Sequence, residues 1–154
     1  MRVEKDFEEL LKLFNKHKIK YCIIGAFALA FHAQPRYTKD MDIIVEPTVE
    51  NGKKIVTALA EFGFESLKLS PEEFCQPDRF IQLGYEPVRV DLITSIEGLL
   101  FQKIWKNRKI GTYGKARVFF IGLDDLIQSK EIAGRKQDVA DLDRLKAIKN
   151  RKLS

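Results

Sequence analysis

Three aspartates stand where a β-strand would ordinarily carry apolar residues. Asp40 and Asp42 are one residue apart in "DMDIIV", and Asp91 is surrounded by aliphatic residues in "VRVDLI". Acidic residues are depleted in strands, and side chains two positions apart on a strand point to the same face. Asp40 and Asp42 would therefore converge, and their repulsion would be relieved by a hard cation with oxygen ligands or by a shared proton.

A glycine turn supplies the complementary chemistry. Gly25 follows the short apolar run "YCII" and precedes an apolar stretch, residues 26–33, that fits a helix. Glycine lets the backbone approach a ligand closely, and the N-terminus of a helix offers free N–H groups and a partial positive charge to phosphate. If the strands of Asp42 and Asp91 are neighbours, one site would bind one or two Mg²⁺ ions and a nucleotide together.

Each aspartate also has an ordinary structural explanation, as a cap or as half of an ion pair: Asp40 capping a turn, Asp42 pairing with Arg36 or Lys39, and Asp91 pairing with Arg89 or another cation at a sheet edge. Taken singly, each residue favours that explanation. The order of a glycine turn, an Asp-x-Asp strand and a later strand aspartate favours a functional site instead.

The elements that must position these residues alternate between helices and strands. Hydrophobic periodicity predicts helices over about 4–17, 26–33, 48–62, 99–105, 123–133 and 137–149, and strands at "KYCIIG", "DMDIIVEP", "RFIQLG", "VRVDLIT" and around Gly111 and Gly114. A serine cap followed by proline and glutamate in "SPEE" predicts a short helical turn. This alternation predicts an α/β (α+β) fold, with a mixed β-sheet flanked by helices.

Composition predicts one folded domain over residues 1–154. Hydrophobic residues make up 45% of the chain and charged residues 32%, without a tract that resembles a linker. The apolar runs are far shorter than the roughly 18 residues of a membrane span, and the acidic start is unlike a secretory signal, so we expect a cytoplasmic protein without membrane contact. The two cysteines lack the spacing of a zinc site or a disulfide framework.

The net charge of +5 is concentrated near the C-terminus. Residues 127–154 contain eight Lys or Arg and four Asp or Glu. The basic helical part, residues 123–154, would attract a phosphate-rich partner such as RNA. A charged helix is more often simply a solvated face, so the charge alone does not decide between these interpretations.

Two stretches of the chain resemble a known superfamily. "GAFALAFHAQPRYTKDMDIIV" resembles the signature of the DNA polymerase β-type nucleotidyltransferases, which carry a Gly-Gly or Gly-Ser turn followed by an Asp-x-Asp strand. "GLDDLIQSKEIAGRKQDVADLDRLK" resembles the closing motif of small minimal nucleotidyltransferases related to the AbiEii-type toxins. The resemblance covers residues 21–145, and it implies the nucleotidyltransferase fold and Mg²⁺-dependent transfer of a nucleoside monophosphate from an NTP.

The resemblance also implies roles for individual residues. Gly25 and the backbone of Ala26 would cradle the nucleotide phosphates, Asp40 and Asp42 would bind Mg²⁺, and Asp91 would be a third metal ligand near the acceptor hydroxyl that it helps to deprotonate. Four further residues match positions near phosphate or in the closing motif: Arg36, Thr38, Lys130 and Asp138. Ala26 stands where the family has glycine or serine. Its backbone N–H is retained, but the hydroxyl contact of a serine is lost.

The acceptor is less well defined. The AbiEii relatives imply RNA, in particular a tRNA 3′ end, whereas other minimal nucleotidyltransferases modify a tyrosine of a partner protein or a small alcohol. Because the chain is small, a partner protein or a homodimer would complete the acceptor site. The alternative is a non-catalytic interaction protein of the toxin–antitoxin type that uses the same fold as a docking surface.

Overall fold

The computed structural model describes residues 4–33, 39–64, 67–85 and 88–153. Within them the helices are α1 (Lys5–Lys16), α2 (Gly25–His32), α3 (Val49–Phe62), α4 (Phe101–Lys106), α5 (Leu123–Ala133) and α6 (Lys136–Leu153). The strands are β1 (Tyr21–Ile24), β2 (Asp40–Val45), β3 (Phe80–Tyr85), β4 (Val88–Ile93), β5 (Lys109–Tyr113) and β6 (Ala116–Phe120). None of these helices combines the length and the apolar character that crossing a bilayer requires.

The six strands form one mixed sheet in the order β3-β4-β2-β1-β6-β5. The pairs β3–β4 and β5–β6 are antiparallel hairpins, and β1 and β2 are also antiparallel. The pairs β1–β6 and β2–β4 are parallel. The predicted α/β fold, a mixed sheet flanked by helices, is therefore confirmed.

The centre of the sheet is buried by helices. All four residues of β1 are buried, and α1 presents the predicted stripe of Phe7, Leu10, Leu11 and Phe14 to the core. Burial of an aliphatic or aromatic side chain of this size contributes about 1.5–3 kcal/mol to folding. The ends of β1 and β2 are thus held by a well-packed core, which gives the polar residues at those ends fixed positions.

Local signals mark several of the element boundaries. The Oγ atom of Thr48 accepts a hydrogen bond of 3.2 Å from the Asn51 N–H at the start of α3, and Gly63 ends that helix with a φ of +111°. Ser70 and Glu73 form a reciprocal capping box around the short 3₁₀ helix Pro71–Phe74. Helix α4 begins later than predicted because Leu100 has an extended backbone, and α6 continues past residue 149 to Leu153.

Candidate active site

Strands β2 and β4 bring the aspartates together. The two strands are parallel neighbours, with Asp42 as the register partner of Asp91 and Asp40 as the partner of Arg89. Because alternate strand residues share a face, all four side chains lie on the same side of the sheet. Asp91 is 3% exposed, whereas Asp40 and Asp42 are half-buried. The cluster is thus shielded from solvent at Asp91 on β4 and accessible to solvent at Asp40 and Asp42 on β2.

Gly25 lies directly beside this cluster. It follows Ile24, the register partner of Asp42, and has a φ of +66°, in the left-handed region that favours glycine. A Cβ atom at this position would overlap Oδ2 of Asp42. The absence of a side chain at residue 25 therefore lets the Asp42 carboxylate approach the N-terminus of α2, where the helix dipole favours negative charge.

The N-terminus of α2 retains donors for a ligand. Its N-cap residue is Ile24, whose apolar side chain cannot cap the helix. The first N–H groups of a helix have no partner within the helix. Ala26, half-buried in this first turn, is among them. The departure from glycine or serine therefore leaves the backbone donor in place.

Arg89 joins two of the three carboxylates. Its Nε atom donates to Oδ1 of Asp91 over 3.2 Å, and Nη2 donates to Oδ2 of Asp91 over 3.0 Å. The same Nη2 atom lies 3.4 Å from Oδ2 of Asp40. These contacts, with the hydrogen bonds to Asp91 as the main cause, raise the pKa of Arg89. The ion pair that offered an alternative explanation for Asp91 is therefore present, within the aspartate cluster itself.

Burial and the neighbouring carboxylates disfavour the ionised form of Asp42. Burial is the main cause that raises the pKa of Asp42 to about 6, and the charge of Asp91, a hydrogen bond with Asp91 and the charge of Asp40 add to it. Arg89 acts in the opposite direction. A carboxyl group with this pKa is partly protonated near neutral pH, so the Arg89 guanidinium does not fully offset the effects that disfavour the ionised form of Asp42.

The donor set suits a hard divalent cation. Among the residues that the structure describes, no three His, Cys, Asp or Glu side chains are already arranged as a metal cage. Asp40 and Asp91 are instead oriented on the Arg89 guanidinium. Carboxylate oxygens are the ligands that Mg²⁺ prefers, and the cluster already accommodates a positive charge between two of its members. The residues fit Mg²⁺ in chemistry, although they are not arranged to coordinate it.

Lys130 and Asp138 lie in a buried ion-pair network between α5 and α6. The Nζ atom of Lys130 lies 3.2 Å from Oδ1 of Asp138 and 3.1 Å from Oδ2 of Asp141. Arg135 also donates from Nε to Oδ2 of Asp138 over 2.7 Å, and this hydrogen bond is the main cause that lowers the pKa of Asp138. Lys130 is only 8% exposed, so it is not a solvated charge.

The network lies within electrostatic range of the aspartate cluster. The pKa of Arg135 is raised chiefly by its hydrogen bond to Asp138, and the charge of Asp42 contributes to the same shift. Thus Gly25, Ala26, Asp40, Asp42 and Asp91 come together at one end of the sheet, and Lys130 and Asp138 come together between α5 and α6. Arg36 and Thr38 lie outside the described residues.

A basic groove is lined by residues other than the cluster of Asp40, Asp42 and Asp91. Its volume is about 480 Å³, and the described residues that line it include Lys106, Arg108, Lys109, Lys149 and Lys152 together with Asp124 and Asp125. Lys149 forms an ion pair of 2.9 Å with Asp124. The basic region was predicted for residues 123–154. The contribution of Lys106, Arg108 and Lys109 was missed, because these residues line the groove with the C-terminal helices only in the folded protein.

The architecture of the chain matches that of nucleotidyltransferases of known structure. The lincosamide antibiotic adenylyltransferase LnuA, solved with lincomycin bound, has a TM-score of 0.56 and 18% identity over 94% of this chain and 97% of its own. A Thermotoga maritima protein assigned to the nucleotidyltransferases has a TM-score of 0.59 and 15% identity over 88% of this chain and 87% of its own. An antigenic nucleotidyltransferase-like protein from Paracoccidioides brasiliensis has a TM-score of 0.56 and 13% identity over 93% and 77%.

The sequence itself assigns the family. Residues 1–153 match the model of the family described as "Nucleotidyltransferase of unknown function (DUF6036)", and the chain belongs to that family. No curated protein matches the sequence. The structural neighbours are too distant in sequence to transfer more than the fold, so the chemistry has to be argued from the residues of this chain.

Proposed function

We propose that the protein transfers a nucleoside monophosphate from an NTP to an acceptor hydroxyl and releases pyrophosphate. The observation that carries this proposal is the pairing of Asp42 with Asp91 across β2 and β4, beside the Gly25 turn at the start of α2. Membership of a nucleotidyltransferase family supports the same class of reaction. Carboxylates and free helix donors at one edge are the two complementary halves that a metal-bound triphosphate requires.

Asp40, Asp42 and Asp91 are the proposed ligands of Mg²⁺. When bound, Mg²⁺ would neutralise charge on the triphosphate and polarise the phosphate under attack. The raised pKa of Asp42 supports this assignment, because a carboxylate that is difficult to ionise in the metal-free protein gains most from added positive charge.

The residues of the chain would position the nucleotide and deprotonate the acceptor hydroxyl. The backbone N–H groups of Gly25 and Ala26 would hold phosphate oxygens at the N-terminus of α2. The acceptor oxygen would then form a bond to the α-phosphorus, the bond from that phosphorus to the bridging oxygen would break, and pyrophosphate would leave. Asp91 would receive the proton of the acceptor hydroxyl. Positioning and charge stabilisation of this kind supply most of the rate in phosphoryl transfer.

Four residues are proposed to border the phosphates: Arg36, Thr38, Lys130 and Asp138. The support for Lys130 and Asp138 is the family motif, together with a minor effect of the Asp42 charge on the pKa of Arg135, which contacts Asp138. Their mutual ion pair would hold the junction of α5 and α6 against the nucleotide. For Arg36 and Thr38 the support is the family motif alone.

RNA is the acceptor that the charge distribution favours, with a tRNA 3′ end as the proposed target. The basic groove formed by residues 106–109 and the two C-terminal helices supports this choice, because among the described residues that line it five cations outnumber two carboxylates and would attract a phosphate backbone. The same proposal includes kinship with the AbiEii-type toxins and a toxin–antitoxin role in the cytoplasm. It also includes completion of the acceptor site by a partner protein or a homodimer. Transfer to a tyrosine of a partner protein or to a small alcohol is the competing outcome of the test.

The test is label transfer from each α-³²P-labelled NTP to total RNA and lysate, with Mg²⁺ or EDTA. The wild-type protein and the Asp143→Asn variant, altered at an exposed position of α6, should label RNA in Mg²⁺. The Asp42→Asn variant should lose at least 100-fold in rate, which corresponds to about 2.7 kcal/mol of transition-state stabilisation. Equal labelling by Asp42→Asn would show that the proposal is wrong, and label in protein would redirect the acceptor.

A non-catalytic interaction protein would behave differently in a thermal-shift measurement. If the site binds NTP with Mg²⁺, nucleotide at 100 times its Kd should stabilise the fold by about 2.7 kcal/mol. Absence of a shift with all four NTPs, together with a tight complex with one cellular protein, would favour the docking function over catalysis.

A further inference from the structure

Arg89 is the internal counterion of the aspartate cluster. It lies on β4 two residues before Asp91 and across from Asp40, so one side chain reaches both acids on the same face of the sheet. Both oxygens of Asp91 accept a hydrogen bond from the guanidinium, at 3.0 and 3.2 Å. The Arg89 side chain is 28% exposed, whereas that of Asp91 is 4% exposed. The guanidinium therefore covers Asp91 from the solvent side.

This arrangement opposes the binding of a free divalent cation. Mg²⁺ coordinates carboxylate oxygens at about 2.0–2.1 Å and tolerates little deviation from octahedral geometry. A cation at that distance from the oxygens of Asp91 would lie close to a guanidinium that already contacts both of them. Like charges in a partly buried setting repel strongly, so Arg89 has to leave Asp91 before a metal ion can use both of these oxygens.

A triphosphate offers Arg89 a replacement partner. Arginine forms bidentate hydrogen bonds with phosphate as readily as with carboxylate, because its planar fork matches both groups. If Arg89 exchanges Asp91 for phosphate oxygens, the carboxylates become available at the moment when the metal-bearing nucleotide arrives. Arg89 would then weaken the binding of free metal and strengthen the binding of the nucleotide.

We propose that Arg89 competes with free divalent metal for Asp40 and Asp91 and transfers to the triphosphate on nucleotide binding, which couples metal binding to nucleotide binding. This inference rests on the proposed nucleotidyl transfer, and it assigns Arg89 a positioning role within that site. Coupling between two ligands is reciprocal in binding free energy. Removal of Arg89 should therefore strengthen metal binding without nucleotide and weaken the effect of nucleotide on metal binding.

The experiment measures binding of Mn²⁺, a spectroscopic substitute for Mg²⁺, from the electron paramagnetic resonance signal of the free ion. Each protein is titrated alone and with saturating NTP analogues that carry a methylene bridge between the α- and β-phosphates, the four bases being tested separately. The variants are Arg89→Gln, Arg89→Lys and the control Arg117→Gln. Arg117 is an exposed arginine on β6 in the same sheet, so its replacement removes the same charge away from the cluster.

Arg89→Gln should bind Mn²⁺ roughly tenfold more tightly than the wild type in the absence of nucleotide, within the usual range of coupling between sites. Arg117→Gln should match the wild type. The analogue should tighten Mn²⁺ binding in the wild type by a larger factor than in Arg89→Gln. A purely structural role of Arg89 would lower the melting temperature without this change in the metal dissociation constant. Arg89→Lys retains the charge and loses the planar fork, and it should lie between wild type and Arg89→Gln.

Two results would overturn the inference in different ways. If Arg89→Gln binds Mn²⁺ no more tightly than the wild type, while the wild type does bind Mn²⁺ with the analogue, the counterion role is wrong and the proposed function stands. If no variant binds Mn²⁺ with or without analogue, the proposed metal site and the role of Arg89 fail together. Should Arg89→Gln not fold, as judged by circular dichroism, the comparison of Arg89→Lys with the wild type decides by the same criterion.

Discussion

Asp42 and Asp91 face each other as register partners on neighbouring parallel strands, with the carboxylate of Asp42 also resting against Gly25. Like charges directly opposite each other in a sheet are destabilising, and the charge of Asp91 adds to burial, the main cause that raises the pKa of Asp42. The pair therefore lowers the stability of the metal-free fold. Local conflicts of this kind are expected at functional sites, where stability is lost to maintain an arrangement that the chemistry requires.

Replacement of Asp42 should stabilise the metal-free protein at neutral pH. The pKa of Asp42 is about 6 in the folded protein and 3.8 ordinarily, so the folded state binds more protons between these values. The destabilisation is thus absent below about pH 4 and fully present above about pH 6. Allowing for solvent screening, Asp42→Asn should raise the free energy of unfolding by about 1–2 kcal/mol at pH 7.5. Urea unfolding in EDTA measures this change.

The matched control for this measurement is Asp143→Asn. Asp143 is exposed on α6, so its replacement should leave the free energy of unfolding almost unchanged at both pH 4.5 and pH 7.5. The gain from Asp42→Asn should be small at pH 4.5, where the wild-type carboxyl group is already mostly protonated. A loss of stability at pH 7.5, or an equal gain at both pH values, would contradict the account of Asp42.

The local structure could largely be predicted from the sequence. Hydrophobic periodicity and turn chemistry act over a few residues. Thr48, Gly63 and the Ser70–Glu73 capping box therefore indicate the boundaries of α3 and of the 3₁₀ helix without any tertiary contact. The antiparallel pairing of β3 and β4 could be predicted in the same way, because very few residues of the sequence separate the two apolar runs. These features depend on interactions between neighbours in the chain.

The site depended on contacts that no local pattern encodes. Convergence of Asp42 and Asp91 required β4 to pair with β2, and the sequence offered this only as a condition, because strand order is set by packing of the whole sheet. For Asp91 the sequence left open an ion pair with Arg89 or a role in a site with Asp40 and Asp42, whereas the structure places that ion pair inside the aspartate cluster. The burial of Lys130 was equally hidden, since it requires α6 to place Asp138 and Asp141 beside it.

Gly25→Ala should damage the site more than a comparable glycine substitution elsewhere. Both Gly25 and Gly134 have left-handed backbones, with φ values of +66° and +62°. An alanine in that conformation costs about 1–2 kcal/mol. At residue 25 the new Cβ would also overlap Oδ2 of Asp42, and overpacking of this kind costs about 1–3 kcal/mol more. Urea unfolding of both variants at pH 7.5 should therefore show the greater loss for Gly25→Ala.

Gly134→Ala is the control because its added Cβ would meet only backbone oxygens at ordinary contact distance. The overlap at residue 25 also predicts displacement of the Asp42 carboxylate, so Gly25→Ala should weaken Mn²⁺ binding in the presence of an NTP analogue. Gly134→Ala should retain that binding. Equal losses of stability in the two variants, with unchanged metal binding, would show that Asp42 does not depend on the missing side chain of Gly25.

Lys130→Met tests the buried network between α5 and α6. It would leave Asp138 and Asp141 buried without their shared cation, and breaking a buried ion pair on one side costs about 3–5 kcal/mol. Arg135 still contacts Asp138, which should hold the loss near the lower end of that range. The expected decrease in the free energy of unfolding at pH 7 is therefore about 3 kcal/mol, measured by urea denaturation.

The control for Lys130 is Lys146→Met, which removes an ion pair of 3.6 Å with Glu131 whose side chains are 54% and 49% exposed. Exposed pairs contribute about 0–1 kcal/mol, so this loss should be small. The double variant Lys130→Met/Asp141→Asn should recover part of the stability, because it also removes the buried negative charge of Asp141 that Lys130 contacts in the wild type. The lowered pKa of Asp138 means that its stabilisation is present above the ordinary carboxyl pKa and lost as the pH falls through the lowered value. The deficit of Lys130→Met should therefore shrink in acid. A deficit that does not shrink as Asp138 becomes protonated, or that is no larger at pH 7 than that of Lys146→Met, would mean that the buried charges do not stabilise the junction of α5 and α6.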